Sequence, residues 1–484
     1  MKLRKINSKG FSHVEMVIVV LVVAVLGLVG WRVLKNTSHA GSNCTGQTLN
    51  ASANGQYVGS TGQCVTYLQI ISIGFTGIQM PVDGLFGPLT RLNILTFQRT
   101  AFPTDRNQWD GIVGPKTWAK LCSLVPANRT VEVYNAQKAA CGKATFNLPG
   151  DKGPTSTPTD YGFGWLNGIT SDSLGHIWVP NMRYNSLTEI NAKDGSLVKV
   201  YSDPSYGFKS PIQVTTDKLG HIWVANYNSL TEINAKDGSL VKVYSDPSYE
   251  LNGPYAMTAD DQGHLWVTNS NAFTLTEINA KDGSLVKVYS NYNLYGFSWN
   301  LASTTDNLGH LWVSNGNISG SLTEINTNDG SVVTVYGNVR EYSFEKNTFN
   351  KNYGFNVPYG ITSDNLGHIW VVNLEKDTIT ELNAKDGSLV KVYSDPSLGL
   401  KEPITIMADN SGHVWVVNIL GNSLTELNAK DGSLVKVYSN PSLGLKSPSG
   451  ITSDNLGHLW IVNSIGNTVT ELNAKDGSLV KIYK

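Results

Sequence analysis

The sequence predicts a multidomain protein with a single N-terminal transmembrane helix, a small helical domain and a large all-β propeller of seven blades. Three observations lead to this fold class. An uncharged apolar run covers residues 16–31, four cysteines lie between residues 44 and 141, and a Gly-His-x-Trp phrase recurs seven times after residue 170. The length of 484 residues also requires several domains, because one domain has about 150 residues.

Charge and composition narrow the function classes. The 37 Lys and Arg residues nearly balance the 38 Asp and Glu residues, so the net charge is −1 and the chain as a whole does not attract polyanions. We therefore expect no nucleic-acid partner. Only 15 % of the residues are charged, whereas Gly (47), Tyr (21) and Trp (12) are frequent, which is typical of many short strands and turns.

Residues 1–40 have the pattern of a membrane anchor. Four cations, Lys2, Arg4, Lys5 and Lys9, precede the apolar run, which is slightly short for a full span but continues through residues 33–34. The positive-inside rule places the N-terminus in the cytoplasm and everything after residue 36 outside the cell. We expect a single-pass membrane protein whose C-terminal part is extracytoplasmic.

The start of the apolar run resembles the N-terminal signal of type IV pilins and pseudopilins. Gly10, Phe11 and Glu15 carry the likeness, followed by continuous Val, Leu and Ile. The resemblance implies cleavage after Gly10, with Phe11 as the new N-terminus and Glu15 at the fifth mature position, where a carboxylate within a membrane needs a cation. Two alternatives stay open: an uncleaved signal anchor, and cleavage after Ala40.

The second domain, residues 41–145, contains every cysteine of the chain: Cys44, Cys64, Cys122 and Cys141. Four cysteines in a segment expected outside the cell predict two disulfides, with three connectivities open. Free buried thiols or a metal site are the alternatives. No histidine lies between His39 and His176, so this segment lacks the pattern of a zinc site.

Two Asp-Gly-x-x-Gly-Pro phrases, beginning at Asp83 and Asp110, separate short helix-like stretches in this domain. The stretch resembles the peptidoglycan-binding-like three-helix domain, although Asn93 stands where a small apolar residue is usual. The resemblance implies attachment to peptidoglycan or another cell-wall glycan. Its candidate residues are Asp83, Gly84, Phe86, Gly87, Asp110, Gly111 and Trp118. The two aromatic residues have an alternative role in the core of so small a domain.

Residues 146–160 read as a linker, because they combine three prolines with Gly, Ser and Thr and lack apolar periodicity. Residues 161–484 form a tandem array in which the repeated Trp recurs at a mean spacing of 47 residues. Each copy has four strand-like runs, with an Asp-x-x-Gly turn after the first and an Asp-Gly turn after the third. We expect a closed ring of seven blades that share no strand with one another.

The repeats resemble those of NHL-type and virginiamycin B lyase propellers. Loops between the first and second strands and between the third and fourth strands barely change, and we name their end of the ring the constant end. Loops between the second and third strands and between blades differ from copy to copy, and they form the variable end. We expect the variable end to bind a protein or glycan ligand, since rigid folds commonly carry function on loops.

Aromatic residues cluster where the chain enters five of the blades, and the cluster at the third blade consists of Tyr249 and Tyr255. The candidates for a binding face are Tyr161, Phe163, Trp165, Tyr206, Phe208, Tyr295, Phe297, Trp299, Tyr353 and Phe355. Exposed aromatics suit sugar stacking or a protein hot spot. The alternative is packing between blades, which the replacement of these residues by leucine in the last two blades favours.

One histidine occupies the same turn in every repeat, at positions 176, 221, 264, 310, 368, 413 and 458. Ring symmetry keeps equivalent positions apart, so a turn-end hydrogen bond explains these histidines better than a metal site or catalysis. The likeness to virginiamycin B lyase leaves an extracytoplasmic lyase- or hydrolase-like enzyme as the alternative, without nameable catalytic residues. We expect no cofactor and favour a membrane-anchored, wall-associated binding protein.

Overall fold

The computed structural model of the chain describes residues 44–49, 60–76, 80, 82, 84–86, 88–126, 131–142, 161–290, 292–298, 300–316, 320–337, 348–349 and 352–484. The predicted anchor with Gly10, Phe11 and Glu15, and the predicted linker, lie outside these ranges. Within them, every helix is too short or too polar to cross a membrane.

In the domain that precedes the propeller, the described residues form four α-helices: α1 (Gln63–Thr76), α2 (Pro88–Ala101), α3 (Pro115–Leu121) and α4 (Val131–Cys141). Short 3-10 turns cover Cys44–Gly46 and Arg106–Gln108. Proline begins α2 and α3, because its missing N–H costs nothing at the first position of a helix. The domain thus has one helix more than the resemblance implies, and this fourth helix packs against α1.

Two disulfides fasten the edges of this domain. Cys44 pairs with Cys64, and Cys122 pairs with Cys141. The first ties the segment before α1 to that helix, and the second ties the end of α3 to the end of α4. The structure therefore selects one of the three connectivities that the sequence left open. It does so because each pair lies with its Cα atoms 5.6 Å apart, within bridging distance.

The propeller consists of seven antiparallel sheets with consecutive strand order. The strands are Thr170–Ser171, His176–Asn181, Ser186–Asn191 and Leu197–Tyr201 in blade 1; Gln213–Thr216, His221–Ala225, Leu230–Asn234 and Leu240–Tyr244 in blade 2; Pro254–Ala259, His264–Asn269, Thr274–Asn279 and Leu285–Tyr289 in blade 3; Asn300–Thr305, His310–Asn315, Ser321–Asn326 and Val332–Gly337 in blade 4; Pro358–Ser363, His368–Asn373, Thr378–Asn383 and Leu389–Tyr393 in blade 5; Pro403–Ala408, His413–Asn418, Ser423–Asn428 and Leu434–Tyr438 in blade 6; Pro448–Ser453, His458–Asn463, Thr468–Asn473 and Leu479–Tyr483 in blade 7. Blade 4 adds a short parallel strand, Thr348–Phe349, and the helix Tyr292–Tyr295 precedes that blade.

The repeated residues take equivalent places in every blade. In blade 7, Trp460 on the second strand lies opposite Glu471 on the third, and Glu471 lies opposite Lys481 on the fourth. All seven repeat tryptophans are fully buried, because each blade is covered on both faces by its neighbours. The prediction of a seven-bladed propeller is confirmed.

Side chains close the ring between blades 7 and 1. The Ser171 hydroxyl donates to the Ser453 carbonyl at 2.7 Å, and the Ser464 hydroxyl donates to the Leu166 carbonyl at 2.7 Å. An apolar cluster that includes Tyr161 of the first blade and Tyr483 of the last fills the same junction. In the described part of the chain the two blades share no strand, as the sequence predicted.

Candidate functional site

The two Asp-Gly turns of the helical domain are held by the same arrangement. Gln98 on α2 accepts the Gly111 N–H at 2.9 Å and donates to the Ile112 carbonyl at 2.8 Å and the Thr117 hydroxyl at 3.1 Å. Gln69 on α1 makes the equivalent three bonds to the first turn. The turns and the helices before them are therefore a duplicated structural unit with a buried glutamine at its centre.

Of the predicted wall-binding residues, Asp83 and Gly87 lie outside the described residues. Phe86 and Trp118 are fully buried, and the Trp118 indole donates to the Gln47 carbonyl at 3.1 Å. Their rings are therefore core components, the alternative that the sequence left open, and neither is free to stack on a sugar.

The other three candidates, Gly84, Asp110 and Gly111, are turn residues. Asp110 accepts the Ile112 N–H at 2.8 Å, and both Gly84 and Gly111 are in the left-handed region, with φ of +73° and +68°. Glycine adopts this backbone conformation without strain. The second turn leaves the Ile112 side chain about one third exposed, at 36 %.

The aromatic residues predicted for the variable end lie between blades. The Tyr161 hydroxyl donates to the Gly195 carbonyl of an Asp-Gly turn at 2.7 Å, and its ring centroid lies 5.4 Å from that of Tyr483. Tyr206 and Tyr295 make the equivalent hydrogen bond. These side chains therefore fill the gap between the outer strands of neighbouring blades, away from the axis, as the packing alternative requires.

The remaining members of this aromatic set follow the same pattern. Phe163, Phe297, Tyr353 and Phe355 are buried, Trp165 and Phe208 are partly exposed, and Trp299 lies outside the described residues. Radiating blades leave wedge-shaped gaps, and large flat rings fill such gaps at interior packing density.

A polar cluster near the constant end explains the repeated histidines. In blade 1, His176 Nδ1 lies 3.2 Å from Asp172 Oδ2 and 3.3 Å from Glu189 Oε1. The Tyr201 hydroxyl donates to Glu189 at 2.6 Å, and the Trp178 indole donates to Asp172 at 2.8 Å. Burial raises the pKa of Glu189. Because internal donors already occupy these carboxylates, the cluster braces each blade and has the geometry of a structural network.

At the variable end, a polar bracket joins neighbouring blades. The residue before the proline that leads into the first strand has left-handed backbone, with φ of +48° at Ser210 and +47° at Glu402. Its N–H donates to a side-chain oxygen of the preceding blade, from Ser210 to Asn185 at 2.8 Å and from Glu402 to Asp377 at 2.7 Å. Left-handed backbone is uncommon outside glycine, and blade 6 uses it to present a carboxylate.

Glu402 is bound by the helical domain. The Thr96 hydroxyl on α2 donates to Glu402 Oε2 at 2.6 Å, and Arg99 Nη1 lies 2.9 Å from Glu402 Oε1. Arg99 Nη2 also donates to the Glu375 carbonyl of blade 5 at 3.1 Å. The Glu402 side chain is only 2 % exposed. Helix α2 is thus docked on the variable end at blades 5 and 6.

A second ion pair extends this interface. Arg91 Nη1 lies 3.0 Å from Glu375 Oε1, with both side chains 15 % exposed. Arg91 also packs against the second Asp-Gly turn, because a methyl group added at Gly111 would come within 2.7 Å of Arg91 Cγ. The same arginine therefore contacts a predicted wall-binding turn and the propeller.

Three apolar side chains of the helical domain belong to the apolar cluster of the propeller. Ile73, Met80 and Leu92 are buried in one cluster with Leu374 and Ile419 of the loops after the second strands. The core of the helical domain forms a separate cluster around Phe86 and Trp118. Each domain therefore has its own core, and the shared cluster lies at the interface.

Two carboxylates of this interface have raised pKa values. Burial raises the pKa of Glu402 to about 6, although the Arg99 guanidinium opposes that shift. Burial also raises the pKa of Asp377, against the nearby charges of Arg99 and Lys401. Removal from water therefore disfavours the ionised form of these carboxylates more than the nearby cations favour it.

Two tyrosines from blades that are not neighbours meet near the axis of the ring. The Tyr255 and Tyr359 hydroxyls are hydrogen-bonded to each other, although they belong to blades 3 and 5, which are not neighbours. Both belong to the same apolar cluster as Met80 and Leu92. Burial raises the pKa of both phenols.

Sequence reasoning missed Thr96, Arg91, Arg99, Glu375 and Glu402. Comparison of the repeats contains a signal that could have found part of this set. Ser210 and Ser447 occupy the positions equivalent to Glu402, so the carboxylate is peculiar to blade 6. No signal of that kind marks the arginines, because α2 has no repeated counterpart in the propeller.

Comparison with known proteins finds no family model that matches the chain. A zinc D-Ala-D-Ala carboxypeptidase from Streptomyces albus G is 38 % identical over 84 residues, which are 16 % of this chain and 31 % of that protein. The chain thus matches about a third of the length of this curated relative.

Solved structures resemble the propeller. A catalytically inactive virginiamycin B lyase from Staphylococcus aureus with quinupristin has a TM-score of 0.53 and 21 % identity, covering 65 % of this chain and 96 % of that one. A streptogramin B lyase has a TM-score of 0.51 and 22 % identity, covering 64 % and 93 %. At these identities the likeness concerns the fold. The larger part of this chain is a seven-bladed propeller similar to that of virginiamycin B lyase.

Proposed function

We propose that the protein is a membrane-anchored, extracytoplasmic binding protein of the cell wall. In this proposal the helical domain binds peptidoglycan, and the propeller is a rigid platform for a protein or glycan ligand. The observation that carries the proposal is the duplicated Asp-Gly turn unit, centred on Gln69 and Gln98. It is the structural form of the phrase that resembles peptidoglycan-binding domains.

The 84-residue similarity to the zinc D-Ala-D-Ala carboxypeptidase supports this role. Its length is that of one small domain, and the name of that protein states that it acts on D-Ala-D-Ala. The two disulfides support a location outside the cytoplasm, where such bonds persist. A binding role is favoured over catalysis, because the propeller histidines all occupy one repeated bracing position.

Cosedimentation with insoluble peptidoglycan tests wall binding. We expect a protein of residues 41–484 to pellet with purified peptidoglycan and to stay in the supernatant with cellulose. Ile112→Asp, in the second turn, should reduce the pelleted fraction severalfold. Leu124→Asp is the matched control, since Leu124 is 37 % exposed and Ile112 is 36 % exposed in the same domain. Thermal melts establish that both variants remain folded.

The proposal has a clear counter-outcome. If the protein of residues 41–484 does not pellet with peptidoglycan, wall binding is wrong. If the wild type pellets and both aspartate variants pellet equally well, a surface other than the second turn binds the wall.

Membrane anchoring and pilin-like processing are a separate part of the proposal, supported by the sequence of residues 1–40. N-terminal sequencing of protein extracted from membranes should begin at Phe11. Gly10→Val should leave the basic leader attached. An intact Met1 on the mature protein would support the uncleaved anchor instead.

A further inference from the structure

The helical domain covers part of the variable end at blades 5 and 6. Its contacts reach Glu375 in the loop after the second strand of blade 5 and Glu402 between blades 5 and 6. Its apolar residue Leu92 shares a cluster with Met182 of blade 1 and Tyr255 of blade 3. The surface that loop variation marks for binding is thus occupied by another part of the same chain.

We propose that the helical domain is a displaceable cap, held on the axial face of the propeller by Arg91, Thr96 and Arg99, and that this face binds its ligand only when the cap is displaced. The proposal concerns the docking of two domains and does not depend on wall binding.

Apolar side chains of the propeller loops adjoin the cap. The residue directly after the second strand is Leu374 in blade 5 and Ile419 in blade 6, and both side chains are at most 1 % exposed. The equivalent residue is also apolar in blade 1, where it is Met182, whereas it is polar in blade 3, Ser270, and in blade 7, Ser464. Met182, Leu374 and Ile419 belong to the same apolar cluster as Leu92 of the helical domain. The apolar surface of the docked helix therefore continues onto these loops.

The cap can leave without unfolding. The helical domain keeps its own core around Phe86 and Trp118, and two disulfides hold its edges. Of the helical-domain residues that the structure describes, only Ile73, Met80 and Leu92 join the propeller cluster. An interface of a few apolar side chains and two ion pairs resembles transient contacts between domains, for which relative motion is the normal expectation.

The covered face has the chemistry of a binding site. The Trp165 indole N–H is buried and has no hydrogen-bond partner among the described residues, and its ring packs against the apolar cluster. The Asn167 amide is hydrogen-bonded to the Tyr255 hydroxyl, which also bonds to Tyr359. An unpaired buried donor next to an apolar surface suits a ligand that combines apolar groups with carbonyl or hydroxyl acceptors.

Charge reversal at the central pair tests the cap. In a protein of residues 41–484, Arg99→Glu places a second negative charge against Glu402, whereas Arg99→Glu with Glu402→Arg restores an opposite pair. Amide hydrogen exchange reports the docking of α2 and of the loop at Leu374. We expect exchange at both places to rise about tenfold or more in the single variant, since breaking a buried pair is strongly destabilising. The double variant should restore most of the protection from amide exchange.

A dye reports the exposed face independently. 8-Anilinonaphthalene-1-sulfonate should fluoresce more strongly with the single Arg99→Glu variant than with the wild type or the double variant. The matched control reverses an exposed ion pair within the propeller, Lys218→Glu with Asp261→Lys, whose side chains are 73 % and 69 % exposed. That control should change neither readout.

Two outcomes would overturn the proposal. One is Arg99→Glu with wild-type exchange at α2 and no added dye fluorescence, because docking would then not depend on this pair. The other is Arg99→Glu that loses the melting transition of the helical domain, because the domain would then unfold without its docking contacts instead of separating from the propeller.

Discussion

The Thr96 hydroxyl of α2 donates a 2.6 Å hydrogen bond to Glu402 of the propeller, across 306 positions of the chain. Thr96 is fully buried, and Glu402 is 2 % exposed. Both residues are buried by the same contact between domains. The ionisation of Glu402 is therefore coupled to docking.

Docking should weaken as the pH rises through about 6. The pKa of Glu402 is about 6 when docked, against an ordinary value of 4.5, so the docked state binds the proton more tightly. The contribution is fully present below about pH 4.5 and is lost above the docked pKa, and it amounts to about 2 kcal/mol. We expect slower amide exchange in α2 at pH 5 than at pH 8, after correction for intrinsic exchange rates.

Glu402→Gln is the matching variant for this pH dependence. Its neutral amide removes the titration, so most of the difference between pH 5 and pH 8 should disappear. Asp377 faces Glu402 and has a pKa raised in the same direction; Arg99 opposes both shifts, and Lys401 opposes the shift of Asp377. Any pH dependence of docking that remains in Glu402→Gln should therefore come from the titration of Asp377. An unchanged pH dependence in Glu402→Gln would contradict the assignment.

Each disulfide should stabilise the helical domain by about 3 kcal/mol, the value expected for loops of this length. Cys44 and Cys64 are 20 residues apart, and Cys122 and Cys141 are 19 apart. The variants Cys44→Ser with Cys64→Ser, and Cys122→Ser with Cys141→Ser, should lower the midpoint of the helical transition in urea, followed by circular dichroism at 222 nm. The transition of the propeller, which contains no cysteine, should not move. Equal helical midpoints in reduced and oxidised wild type would argue against the two bonds.

Gln98→Leu should destabilise the helical domain by about 2–4 kcal/mol, since it leaves the Gly111 N–H and the Ile112 carbonyl without partners in the interior. Gln69→Leu should cost a similar amount, because it makes the equivalent contacts. Gln63→Leu, at an exposed position of α1, is the control and should be nearly neutral. Urea denaturation measures all three. A neutral Gln98→Leu would mean that the turns do not depend on the buried glutamine.

Tyr483→Phe and Tyr201→Phe should destabilise the propeller equally, by about 1–3 kcal/mol. Each substitution removes the hydroxyl that donates to a buried carboxylate, Glu471 or Glu189. Tyr483 lies at the junction that closes the ring, and Tyr201 lies between blades 1 and 2. Equal losses of unfolding free energy in guanidinium denaturation would indicate that the junction between blades 7 and 1 is packed as tightly as the junction between blades 1 and 2. A much smaller loss for Tyr483→Phe would indicate a loose closure.

Much of the propeller could be predicted from sequence, because its information is local and repeated. Short strand-like runs, turn glycines and the repeated Trp specify each blade, and each of the seven copies supports the interpretation of the others. The positions of Tyr161 and Phe163 were harder to interpret. An aromatic residue before a strand suits either a surface or a gap between blades, and only the position of the next blade decides between them.

The helical domain divides in the same way. Its glycine turns and proline starts follow from backbone preference, so the sequence locates them. The pairing of Cys44 with Cys64 depends on which helices approach each other. Nothing in the spacing of four cysteines contains that information.

The sequence by itself determined the number of blades, the constant and variable ends and the positions of the turns. Each of these follows from comparing the repeats along the chain. Tertiary structure alone decided that Arg99 meets Glu402 and that α2 lies on the variable end. The physical reason is that 303 positions separate the two residues. An ion pair between two unlike domains leaves no repeat in the sequence, and it forms only where two folded surfaces match in shape and charge.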